Sequence, residues 1–154
     1  MTSVYDVIDR IKSFLRENPT VNYVSFGNVL EVALDKTAIY PLAHFSLSDT
    51  TVNSNNLAIQ LDFLFLDIVD YSKDYNPDDA GNRQDDTNLV DVYNTQLQVA
   101  NALISELRRG DMYRDKFQLL GDTVCRPFRD RFENELAGWS LRLTIQVPNN
   151  LSIC

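Results

Sequence analysis

A chain of 154 residues, 44% apolar and 23% charged, can bury about 70% of the surface its unfolded form exposes, so neither a disulfide nor a metal is needed to hold one core. Fourteen basic against twenty-two acidic side chains leave a formal charge of −8; that argues against nucleic acid or a membrane as partner, since binding to phosphate rests on Lys and Arg. Only two cysteines, Cys125 and Cys154, no basic-then-apolar leader in "MTSVYDVIDRIKSFL" and no apolar run longer than "LDFLFLDIV" give the expectation of a soluble protein made in the cytoplasm with reduced thiols.

Ser3 and Asp6 resemble a capping box, and Val4, Val7, Ile8, Ile11, Phe14 and Leu15 recur at helical spacing. The spacing predicts a helix to about Glu17, ended by Asn18-Pro19. Residues 21–34 are rich in β-branched and aromatic types around Gly27-Asn28, which predicts two short strands or one kinked strand. Extended segments at 39–48 and 57–69 flank the polar run Asp49–Asn56 and predict a long antiparallel hairpin. In its second arm Leu57, Ile59, Leu61, Phe63 and Phe65 mark one buried face.

Residues 72–86 carry Pro, Gly, Asn and aspartates and predict an acidic loop. Leu89, Val92, Tyr93, Leu97, Ala100, Leu103, Ile104 and Leu107 then fall on one predicted helix face. Asp86 or Thr87 is the expected cap, Arg108 and Arg109 suit the negative end of the dipole, and Gly110 is the expected terminator. Two short extended pieces follow at about 116–120 and 123–132. In the last strand, 139–147, Trp139, Leu141, Leu143, Ile145 and Val147 alternate with polar residues until Pro148. The order predicts a single α+β domain over 1–154: a mostly antiparallel sheet with an N-terminal helix and a long central helix packed on it as a two-layer sandwich.

Catalytic chemistry has little support. His44 is the sole histidine, so no imidazole pair exists for zinc, and a hydrogen-bonded strand histidine is the better reading. Cys125 shows no neighbouring base and reads as a small filler. An enzyme using His44, Asp62 and Cys125 would have no substrate that the sequence names. In "DYNPDDAGNRQD", Asp74, Asn76, Asp78 and Asp85 occupy positions 1, 3, 5 and 12 of a calcium loop. Asp79 stands where that loop needs Gly, however, and Pro77 precedes Asp78. The loop is read as solvated, with no metal or cofactor site assigned; a calcium-binding module is the alternative function.

The most specific segment is "PFRDRFENELAGWSLRLTIQVPN", Pro127 to Asn149, with Phe128, Phe132, Gly138 and Trp139 as its distinctive words. Together with Tyr40–Leu47, Leu57–Asp70 and Thr87–Gly110 it resembles the small neck and tail-completion proteins of tailed bacteriophages, including the tail terminators. The resemblance extends over nearly the whole chain as a pattern, while the aspartate loop lies outside it. It implies a non-enzymatic virion subunit, synthesised in the host bacterial cytoplasm, that assembles into a ring of six or twelve copies between portal or connector and tail proteins. On that reading the ribbon's inner face packs on the core, while Arg126, Phe128, Arg129, Asp130, Arg131, Phe132, Glu133 and Trp139 are candidates for the contact between copies. Asp74, Asp78, Asp79, Asp85 and Asp86 are expected to face the lumen or a neighbouring ring, where carboxylates would repel passing DNA.

Overall fold

The computed structural model describes residues 4–27, 39–69, 89–130 and 136–149. Helix α1, Val4–Glu17, buries Val7, Ile11 and Leu15, one residue per turn along a single stripe. It stops at Asn18, whose side-chain oxygen accepts from Thr20 N at 2.9 Å. Strand β1, Tyr23–Phe26, pairs with β2, Leu42–Val52, in parallel. A tight turn leads from β2 into the antiparallel β3, Asn56–Ile68. Helix α2, Leu89–Arg109, is followed by a single helical turn, α3, Asp111–Arg114. Two short strands, β4 at Gln118–Leu119 and β5 at Cys125–Asp130, precede the long β6, Leu136–Pro148.

The sheet runs β1-β2-β3-β6, and β4 and β5 both pair with β6. β6 is thus an interior strand, in register with β3 from Asn56–Pro148 to Ile68–Leu136. Its alternation aligns with that of β3: Ile59 faces Ile145, Leu61 faces Leu143, and Phe63 faces Leu141. These pairs meet Ile11 and Leu15 of α1 and Leu103 and Leu107 of α2 in one cluster. Each such side chain contributes roughly 1.5–3 kcal/mol by leaving water. Phe26, Phe45, Phe63 and Phe65 extend the packing, with successive ring centroids 5.0, 5.4 and 5.8 Å apart. The expected α+β sandwich is the fold observed, with the β1–β2 pair making the sheet mixed.

Three expectations need correction. The polar run after Ser48 is not a long connection: β2 continues through the β-branched Thr50, Thr51 and Val52 after an irregularity between Leu47 and Thr50. The turn proper is made by Asn53, whose side-chain oxygen accepts from Asn55 N and Asn56 N at 3.0 and 2.7 Å. The final strand begins earlier than expected, at Leu136, because β3 and β5 both pair along it from there. On α2 the buried stripe is Val92, Gln96, Val99, Ala100, Leu103 and Leu107, whereas Leu97 is 40% exposed. The apolar residues of this helix form two adjacent stripes, and the one bearing Leu97 borders a cleft at Cys125. Expectations for 28–34, 70–88 and 131–135 lie outside the described residues.

Candidate functional site

Alternation along β5 and β6 sends side chains to two different surfaces. On the face away from the helices, Ser46, Asp62 and Arg142 stand abreast on β2, β3 and β6. Arg142 Nε donates to Asp62 Oδ1 at 2.6 Å and Nη2 donates to Oδ2 at 3.3 Å, a two-pronged pair. That hydrogen bond, reinforced by the carboxylate's charge, raises the Arg142 pKa further above its ordinary value. Asp62, Ser140 and Arg142 line a groove of about 720 Å³, bordered also by Leu120, Val124 and Arg126. The segment joining β4 to β5 is anchored by Arg108, which donates to Gly121 O at 2.9 Å and lies 3.7 Å from Asp122.

The sequence-chosen ribbon residues separate accordingly. Arg126 is exposed and borders this groove, while Phe128 follows it on the same face, half-buried opposite Gly138. Arg129, also half-buried, alternates to the helix side, and Asp130 closes β5 opposite Leu136. Trp139 stands on the helix side as well. Its Nε1 donates to Tyr93 O at 2.8 Å and its ring meets that of Tyr93 edge-on at 5.7 Å. Trp139 thus ties the ribbon to α2 within the subunit. Arg131, Phe132 and Glu133, and the aspartates 74, 78, 79, 85 and 86, lie outside the described residues.

Cys125 opens β5 on the helix side, opposite Leu141, and borders a cleft of about 290 Å³ with Asn94, Leu97, Gln98, Asn101 and Ile104. Burial raises its thiol pKa, the reverse of what a nucleophile needs. His44 and Asp62 share the other face, so the sheet separates them from Cys125. His44 is buried instead between β1 and β2, with Nδ1 2.6 Å from Ser25 Oγ and Nε2 3.0 Å from Gly27 O. The register Ser25–His44 makes that contact, and no sequence signal pointed to it. Among the described residues no cluster of three or more His, Cys, Asp or Glu could hold a metal, and no helix is long and apolar enough to cross a membrane.

No family model matches the chain, and no curated protein matches it.

Proposed function

We propose that this chain is a structural subunit of a tailed-bacteriophage neck, closing into a ring that joins portal-side to tail-side components. The observation that carries the reading is the inequality of the two edges of the sheet that the described residues form. One is β1, a short parallel strand with Tyr23 and Phe26 partly exposed; the other is β4 and β5, bearing Arg126 and Pro127. Unlike edges on opposite sides of one subunit suit a head-to-tail contact, which closes into a ring when the rotation between copies permits. Pro127 has no N–H to give, so a neighbour at β5 would be held by side chains more than by a continuous backbone ladder. The resemblance of Pro127–Asn149 to the neck and tail-completion proteins supplies the setting. The charge of −8 accords with a passage for DNA that must not adhere to its wall.

Native mass spectrometry tests the assembly. Closed oligomers are expected, with Arg126→Glu reducing them while leaving the circular dichroism spectrum unchanged. A chain that stays monomeric at every concentration, and is absent from purified virions, would overturn the reading.

A further inference from the structure

β1 covers only part of β2. It pairs with Leu42–Phe45, and Ser46–Val52 have no strand on that side among the described residues. Across the sheet β5 is likewise open, paired with β6 alone. An open strand invites another strand unless its backbone is interrupted. Both of these are interrupted. On β2 the ladder to β3 is irregular between Leu47 and Thr50, which leaves Ser48 and Asp49 out of register. On β5 Pro127 has no N–H to give.

Each interruption carries one charge. Asp49 sits in the irregular stretch and Arg126 precedes Pro127; both are exposed, and neither forms an ion pair among the described residues. They also address one face of the sheet. Arg126 lines the outer groove with Arg142. Asp62, by hydrogen bond and charge, and then Asp49, by charge, raise the Arg142 pKa. Exposed apolar side chains accompany both: Leu47 and Val52 with Asp49 on β2, Leu120 and Val124 with Arg126 along the groove.

We propose that Asp49 of one copy pairs with Arg126 of the next, joining the Ser46–Val52 stretch of β2 to the β5 edge and fixing which edges meet. This pairing rests on the head-to-tail assembly proposed above. Two β2 edges meeting about the same stretch would set Asp49 near Asp49, and two β5 edges would set Arg126 near Arg126. Like charges therefore oppose the self-paired contacts, and only the unlike edges attract. The ion pair selects the neighbour and its register; the apolar side chains beside it supply contact area.

Charge exchange tests this, with the dissociation of full-chain oligomers followed by native mass spectrometry over a dilution series. Asp49→Arg sets two arginines together across the contact and should weaken assembly at least about tenfold, as should the two aspartates created by Arg126→Asp. The double variant Asp49→Arg/Arg126→Asp restores an opposite pair and should recover assembly to within about threefold of the native chain. Should either reversal disturb the circular dichroism spectrum, Asp49→Asn and Arg126→Gln replace them. Singly or together these should weaken assembly equally, because the same pair is lost each time. Oligomers that persist in Asp49→Arg, reversals that the double variant does not recover, or additive losses from the neutral variants overturn the pair and leave the ring standing. A native chain that is monomeric throughout overturns both.

Discussion

Gly138 of β6 lies directly against the backbone of Phe65 on β3: a Cβ built on Gly138 would collide with the Phe65 carbonyl oxygen and come within 2.8 Å of Leu66 Cα. Neither atom belongs to a side chain that could turn aside. Phe128 holds the other side of Gly138 in register, so β6 has no free side toward which to shift. Gly138→Ala should destabilise the fold by about 3 kcal/mol or more, the upper end of overpacking costs. Urea denaturation measures it, and a loss below about 1 kcal/mol would mean that the two strands separate easily there.

Lys116 has φ 72, the left-handed region that a side chain disfavours. Its N–H donates to Tyr113 O at 3.1 Å and Phe117 N donates to Met112 O at 2.9 Å, which closes α3 with the paired bonds of a Schellman turn. Glycine fits that position better than lysine. Lys116→Gly should raise stability by about 0.5–1 kcal/mol, seen as a higher denaturation midpoint at unchanged slope. A lower midpoint would show that the lysine side chain contributes more than its backbone costs.

Trp139→Phe keeps an aromatic ring on Tyr93 and deletes the donor to Tyr93 O. It should cost about 0.5–1.5 kcal/mol, the net worth of one hydrogen bond, because Tyr93 O lies inside α2 and keeps its helical partner. Tyr93→Phe removes only the longer 3.4 Å bond to Phe128 O and should cost less. If the tyrosine change proved the larger, the Trp139 bond would not be the main tie between α2 and the ribbon.

Elements with a dense local signal were legible in the sequence. The α1 stripe, the alternation of Leu57–Phe65 and that of Trp139–Val147 each fixed an element and its buried side, because a side chain's direction depends only on its own strand or helix. Strand neighbours were not legible in the same way. Nothing local to Tyr23–Phe26 says that it lies parallel to β2, or that β6 slots between β3 and β5, since both follow from pairings between residues far apart in sequence. The bond from Trp139 to Tyr93 O likewise joins residues far apart in sequence, so no local signal names it. Gln96 ran against the rule that buried positions are apolar, and periodicity favoured its neighbour Leu97.

Cys125 provides a pH test. Burial raises its pKa, so at any pH the thiolate fraction is smaller than for a free cysteine. In a Cys154→Ser chain, alkylation by iodoacetamide at neutral pH should be slower than that of a small thiol, and the rate should climb only at a pH above that at which the small thiol's rate climbs. Thiol stability linkage has the matching sign: the folded state holds its proton to higher pH than the unfolded chain, so stability present at neutral pH is lost as pH rises above the unfolded thiol's range. Fast alkylation at neutral pH would show Cys125 to be freely accessible.

His44 is the chain's only histidine, so its ring nitrogens can be read without assignment. Gly27 O can only accept, which requires the proton on Nε2, 3.0 Å away. In the neutral ring Nδ1 is then the acceptor, and Ser25 Oγ, 2.6 Å from it, donates. Nitrogen-detected spectra at neutral pH should show a protonated Nε2. Ser25→Ala leaves Nδ1 without that donor in a buried site and should cost about 1–2 kcal/mol, with the loss of protection concentrated in Tyr23–Phe26, the strand His44 clasps to the sheet. Finding Nδ1 as the sole protonated nitrogen would mean that the ring does not hold Gly27 and that Nδ1 donates to Ser25 Oγ instead.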